Sequence, residues 1–250
     1  QSHSGDASAL LGVVSNLKTS NLTNNSNNSY NSQIVEDAEG YLHVFWDEII
    51  GYDSNVLERV QQPDGTWSVP VSLALGWLPQ ITPGPDGTLH LVYMSVSPTR
   101  KVYYMAKDLK GDWSAPINIS GDASYDGLAR ERIAVDGTGM VHVVLCDDEG
   151  NLIYIAKPQD GDWADPLTLF TNATYARIAA GPDGTIHLVW ISGVNVFYAS
   201  RVAGSDWGEP FELPLISAFN ISLVLDPAGN IYIAYVENVS YNMAYIWKTP

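Results

Sequence analysis

The stretch Gly181–Trp190, GPDGTIHLVW, decides the fold because it recurs along the whole chain. Gly84–Tyr93, GPDGTLHLVY, is nearly the same, and looser copies end at Trp46, Leu145 and Tyr235. Taking His43, His90, His142, His187 and Tyr232 as a ruler, the steps are 47, 52, 45 and 45 residues. That is the period of a four-stranded propeller blade. Segments such as Thr88–Tyr93 alternate in polarity, are rich in β-branched and aromatic residues, and are bounded by Pro, Asp and Gly, the pattern of strands rather than helices.

Each repeat reads as four strands. In the fourth they are an inner strand ending at Arg177–Ala180, a second at Thr185–Ile191, a third at Val196–Arg201 and a fourth near Glu209–Leu213. Third strands recur at Val102–Lys107 and Leu152–Lys157, and fourth strands follow Trp67, Trp113, Trp163 and Trp207. The chain ends after the third strand of the last repeat, while an orphan apolar run, residues 10–17, precedes the first. The prediction is one all-β domain over residues 1–250, a five-bladed β-propeller of four-stranded blades. Residues 10–17 complete the last blade and remove its open edge. Residues 18–32 are polar and Asn-rich and read as an exposed loop.

A net charge of −16 with only 12 Lys and Arg excludes a nucleic-acid partner, which would need a concentrated basic patch. The carboxylates leave room for Ca²⁺, although no loop has EF-hand spacing, and no cofactor or other metal is expected. Cys146 lies in an apolar run and reads as an inert buried thiol. No stretch is long enough for a membrane span, and Gln1–Ser8 reads as a mature end after processing. Glycosylation sequons at Asn21, Asn24, Asn27, Asn118, Asn172, Asn220 and Asn238 outnumber the roughly two expected by chance. They point to an extracellular, secreted or surface glycoprotein, while Asn118, Asn172 and Asn220 also fit inherited repeat positions.

Four His at equivalent second-strand stations suggest a metal site at first glance, but equivalent residues of separate blades lie too far apart to share an ion. Hydrogen bonding within or between blades is the reading adopted. The inner-strand column Gln33, Gln80, Arg132, Arg177 and Ser222 is different, as is Asn31, Leu78, Arg130, Tyr175 and Asn220 two residues earlier, on the same face by strand periodicity. Arg130, Arg132 and Arg177 converge there and could hold a carboxylate in bidentate fashion, or be neutralised by Asp126, Glu131 and Asp136. Aromatics precede each inner strand at Tyr30, Trp77, Tyr125, Tyr175 and Phe219. They suit stacking on sugar rings, or filling gaps between blades. Carboxylates in the zone are Glu36, Asp37, Asp126 and Glu131, with nothing to separate an acid from a nucleophile.

With Asp64, Gly65, Thr66 and Trp67 in one turn and Asp108, Gly111 and Trp113 in another, the chain resembles the sialidase-like and lectin-like β-propellers built from BNR (Asp-box) repeats. Neither turn carries the family's full pattern. Sialidases hold a substrate carboxylate with three Arg. The Arg-Ile pairs at Arg132 and Arg177 look like that family's Arg-Ile-Pro, with Ala in place of Pro. Five-bladed lectins and five-bladed glycoside hydrolases are similar in blade number.

The expected function is a non-catalytic, lectin-like recognition module for a glycan or glycoprotein. Its ligand-binding face would carry Trp77, Tyr125, Arg130, Arg132, Tyr175 and Arg177. The alternatives are a self-assembling structural subunit of an extracellular filament or coat, and a glycoside hydrolase of sialidase-like type.

Overall fold

The computed structural model describes residues 20–96, 100–109, 111–121, 132–214, 218–237 and 243–248. The proposed closing strand, 10–17, lies outside them. No helix is present among the described residues, which form five antiparallel sheets. Sheet 1 comprises β1 (Ser29–Glu36), β2 (Leu42–Ile50), β3 (Asp53–Gln61) and β4 (Val71–Leu75). Sheet 2 comprises β5 (Trp77–Pro83), β6 (Leu89–Met94), β7 (Val102–Lys107) and β8 (Ile117–Asn118). Sheet 3 comprises β9 (Arg132–Val135), β10 (Val141–Cys146), β11 (Leu152–Lys157) and β12 (Leu167–Phe170). Sheet 4 comprises β13 (Thr174–Ala180), β14 (Ile186–Ser192), β15 (Asn195–Arg201) and β16 (Phe211–Glu212). Sheet 5 has three described strands, β17 (Ala218–Leu225), β18 (Ile231–Glu237) and β19 (Met243–Lys248).

The repeated turn explains the first hairpin of each sheet. Its fourth residue is Gly40, Gly87, Gly139, Gly184 or Gly229, all at φ between 78° and 84°, a region that only glycine enters without strain. An Asp in the turn then caps it from the side chain. Asp136 Oδ1, for instance, accepts the N–H groups of Thr138 and Met140 at 2.8 and 3.1 Å.

First strands lie side by side in chain order, β1 on β5, β5 on β9, β9 on β13 and β13 on β17. Alternate side chains of each sheet fill the seam to the next. Val56 meets Leu91, Tyr93 and Met105 between sheets 1 and 2, and Val92, Met94 and Tyr104 meet Val141, Val143 and Leu145 between sheets 2 and 3. Val144 and Tyr154 meet Ile186, Leu188 and Trp190 between sheets 3 and 4. Val189, Ile191 and Val196 meet Ile221 and Leu223 between sheets 4 and 5. No comparable packing joins β17 to β1 among the described residues. Cys146 lies in the third of these cores, and burial pushes its thiol up to about 11, so it is not a thiolate at neutral pH.

Candidate functional site

The end of the molecule where the first strands begin holds most of the candidate residues. There the ladder breaks in sheets 1, 2, 4 and 5: register shifts fall between Tyr30 and Gln33, Trp77 and Gln80, Thr174 and Arg177, and Phe219 and Ile221. Inside each shift one residue enters the left-handed region, namely Asn31 at φ 51°, Leu78 at 54°, Tyr175 at 52° and Asn220 at 54°. Asn tolerates this conformation; Leu and Tyr are strained by it. The expectation that Tyr175 and Arg177 share a face by simple alternation is therefore corrected: a β-bulge separates them.

The bulge also separates Trp77 from Tyr175. Trp77 precedes the left-handed residue of its strand, whereas Tyr175 is that residue. Trp77 is half-buried against the core between sheets 2 and 3, its Nε1 is buried with no hydrogen-bond partner among the described residues, and Arg100 lies 5.1 Å over its ring. Tyr175 is 43% exposed. Arg132 and Arg177 are half-buried on the adjacent first strands β9 and β13, opposite Val144 and Val189. Arg177 Nη1 donates to the Ala176 carbonyl at 2.8 Å. Tyr125 and Arg130 lie outside the described residues.

Of the candidate carboxylates, Glu36 ends β1 and Asp37 opens the hairpin turn after it, both at the other end of the strand, and Asp126 and Glu131 are not described. Two carboxylates at the strand-start end were not anticipated. Asp47 is 3% exposed, and its Oδ1 accepts both Asn31 Nδ2 at 2.7 Å and the Leu78 N–H at 3.0 Å. It thus ties the bulges of sheets 1 and 2 together and offsets the strain at Leu78. Glu48 is 2% exposed and accepts from Asn25 and Asn27 Nδ2 at 2.9 Å each, Ser29 Oγ at 3.1 Å and Trp46 Nε1 at 3.0 Å. Burial would raise its pKa, but these four donors outweigh it and hold the carboxyl below its ordinary value. The signal was available in sequence for Asp47, which interrupts the apolar second strand where sheets 2 and 3 run on with Met94 and Cys146; Glu48 stands at a station that is polar there too, Ser95 and Asp147.

Among the sequons, Asn21, Asn24, Asn27, Asn118, Asn172 and Asn220 are exposed, and Asn238 is not described. Asn27 already spends its Nδ2 on Glu48.

The His column bonds within each sheet, from the second strand to the third. His90, His142 and His187 place Nδ1 2.7, 2.7 and 2.8 Å from the hydroxyls of Tyr104, Tyr154 and Tyr198. In sheet 1 the partner is a carboxylate instead, Glu58 Oε1 at 2.7 Å, while His43 Nε2 lies 3.1 Å from Asp37. Trp113, from sheet 2, donates Nε1 to Glu58 Oε2 at 2.9 Å, and Lys107 stands 4.0 Å away. A cleft of about 450 Å³ opens over this group. Glu58 is engaged through both oxygens by these donors, which suits a framework role better than proton transfer. No group of three metal-ligating side chains is present among the described residues, nor is any helix long and apolar enough to cross a membrane.

The sequence matches no protein-family model and no curated protein. Solved structures do match. NanB sialidase from Streptococcus pneumoniae superposes with a TM-score of 0.61 at 12% identity, over 90% of this chain and 56% of that one. A PL25 ulvan lyase bound to -[GlcA(1-4)Rha3S]- gives 0.61 at 12%, over 86% and 66%. The GH93 α-L-arabinofuranosidase of Fusarium graminearum gives 0.60 at 18%, over 88% and 77%. The fold is that of a sialidase-like β-propeller. The chain spans less than two thirds of the sialidase and of the lyase. At such identities the likeness is one of fold, and it does not extend to BNR repeats as such.

It does overturn one expectation. Similarity among the repeats favours a non-catalytic module, yet solved propellers sharing its fold include carbohydrate-processing enzymes. Near-symmetry of the framework is therefore no argument against catalysis. Sheet 1 breaks the symmetry in any case, at Asp47, Glu48 and Glu58.

Proposed function

We propose that this chain is a carbohydrate-processing enzyme, a glycosidase or lyase, acting on an acidic glycan at the strand-start end of its first strands. The observation that carries the reading is the pairing of Arg132 and Arg177 on neighbouring first strands of a protein whose net charge is −16. Two guanidinium groups there suit a carboxylate or sulfate on a sugar, each able to bind it in bidentate fashion. Tyr175, exposed and held in a strained conformation in the bulge that precedes Arg177, is the group offered for stacking on the sugar or for exchanging a proton with it. The named ligand of the ulvan lyase carries both a uronate and a sulfate, and a sialidase acts on an acidic sugar; both support this choice of substrate class.

The same reading takes the five sheets as a closed ring, with residues 10–17 as the fourth strand of sheet 5 beside β19, in an extracellular setting where such polymers occur. Sheet 5 alone has three described strands, and its outward face bears Val224, Met243 and Tyr245, all more than half exposed.

The test is turnover on a panel of ulvan, an aryl sialoside and an aryl arabinofuranoside, followed by reducing ends and by the ultraviolet absorbance of an unsaturated uronate. Turnover of an acidic member is expected, and Arg177→Ala should reduce it by about 10- to 100-fold, the worth of a charged hydrogen-bonded contact. Turnover of the neutral substrate alone, or an Arg177→Ala variant as active as the parent, would overturn the proposal.

A further inference from the structure

The second hairpin of sheet 1 is longer than those of sheets 3 and 4. Its last pair, Ile50↔Asp53, lies seven residues beyond His43. The last pair in sheet 3, Cys146↔Leu152, lies four beyond His142, and in sheet 4 Ser192↔Asn195 lies five beyond His187. From the His station the hairpin closes over 16 residues in sheet 1 (His43↔Val60), 13 in sheet 3 (His142↔Ala156) and 12 in sheet 4 (His187↔Ser200), so one and a half to two extra residues per strand carry the tip about 5–7 Å further at the rise of a β-strand. Because β2 runs antiparallel to β1, this tip projects from the strand-start end, the end that holds Arg132, Tyr175 and Arg177.

The tip is apolar and unspent. Gly51, at φ 70°, takes the first central position of a two-residue turn and leaves Tyr52 at the second. Tyr52 is fully exposed, and Ile49, Ile50 and Leu75 beside it are 39%, 45% and 54% exposed. Such side chains add nothing to the core of sheet 1.

The root, by contrast, is held from several directions. Glu48 gathers Asn25, Asn27, Ser29 and Trp46, the Ile49 N–H donates to the Asn28 carbonyl at 3.0 Å, and Asp47 binds Asn31 and the Leu78 N–H. Two buried carboxylates thus brace one hairpin against the Asn-rich segment on one side and the first strand of sheet 2 on the other. A braced hairpin holds its tip in place at little entropic cost on binding.

We propose that this hairpin is a glycan platform, with Tyr52 stacking on a pyranose ring of the chain that extends from the strand-start site, and Ile50 flanking it. The choice of ligand rests on the function proposed above. The hairpin adds, beyond Tyr175, a second flat aromatic surface for the C–H face of a sugar further along the chain. It therefore selects for polymers over single sugars.

Electrophoresis in native gels containing ulvan, polysialic acid or linear arabinan tests this. The intact chain should be retarded in at least one gel, Tyr52→Ala should weaken that retardation by about fivefold in apparent affinity, and Tyr52→Phe should keep most of it. Equal retardation of Tyr52→Ala and the parent would overturn the platform, as would no retardation of the parent in any of the three gels. Retardation that depends on Tyr52 without turnover of any substrate would sink the enzymatic reading and leave this one standing.

Discussion

In sheet 3, Val144 stands opposite Tyr154, whose hydroxyl meets His142 and whose ring takes Trp207 of the next sheet edge-on at 5.3 Å. Sheets 2 and 4 repeat the Val–Tyr pair with Val92 and Tyr104 and with Val189 and Tyr198. In sheet 1 the same station holds Phe45 opposite Glu58. The ring has moved from the third strand to the second, where Phe45 takes Trp113 edge-on at 5.8 Å, and a carboxylate has replaced the phenol. Each solution leaves something unpaid. Trp163 and Trp207 keep buried Nε1 groups with no partner among the described residues. Trp113 has its partner, but the seam between sheets 1 and 2 must hold a buried charge. A repeat can therefore keep its backbone and His station while exchanging a packed aromatic for an ionic network.

Removing Glu58 should be the most damaging way to break that comparison. Glu58→Ala leaves the His43 ring facing Asp37 alone and strands Trp113 Nε1 and Lys107. Breaking a buried pair of this kind costs about 3–5 kcal/mol. Tyr154→Phe removes a neutral hydroxyl from an otherwise identical position and should cost about 1–2 kcal/mol. Urea unfolding midpoints compare the two directly; equal losses would mean that Glu58 contributes no more than a phenol does.

The two seams should also respond to pH in different windows. Burial drives the pKa of His90 down to about 4, opposed by Asp86 and aided by Lys157. The unfolded chain, with histidine near 6.5, then binds more protons than the folded one between pH 6.5 and 4. Stability from this group is complete above 6.5 and falls through the window, by on the order of 3 kcal/mol in total. Glu58 acts in the same sense but in a lower window. Burial raises its pKa, but His43, Trp113 and Lys107 together lower it below 4.5, so its contribution is intact above that value and is lost as pH falls through the lowered folded pKa. His90→Asn should flatten the decline of the urea midpoint between pH 6.5 and 4.5, leaving the part due to His142, whose pKa burial also lowers. An unchanged slope would show that His90 already carries a proton in the folded state.

How much of this could be read from sequence follows from what each feature depends on. The sheets were legible because each hairpin carries a local marker, Gly at the fourth turn position and His or Tyr six residues after the first. The bulges were half-legible: Asn31 and Asn220 are residues that enter the left-handed region readily, but Leu78 and Tyr175 are not, and only their alignment with the two Asn exposes them. Arg132 and Arg177 were visible as a column because the repeat fixes their station. Glu58 was not, since ERVQ reads as an ordinary half-exposed strand; its burial comes from Trp113, 55 residues on. Asp47 likewise takes its meaning from Leu78 in the next sheet. Long-range partners of single residues are what a periodic reading averages away.

The smallest expected effect tests the exchange most sharply. Phe45→Val alone empties part of the contact with Trp113 and should cost about 1–3 kcal/mol, as large-to-small core changes do. Glu58→Tyr alone forces a second ring against Phe45, with overpacking of similar cost. The double variant, Phe45→Val with Glu58→Tyr, rebuilds in sheet 1 the pair that sheets 2, 3 and 4 already carry, with the Tyr hydroxyl facing His43 Nδ1. If the exchange is one compensated event, the two substitutions couple and the double variant lies within about 1 kcal/mol of the parent. Additive losses in the double-mutant cycle would mean instead that sheet 1 has remodelled its seam beyond these two side chains, with Lys107 and Asp37 fixed around the carboxylate so that a phenol no longer fits.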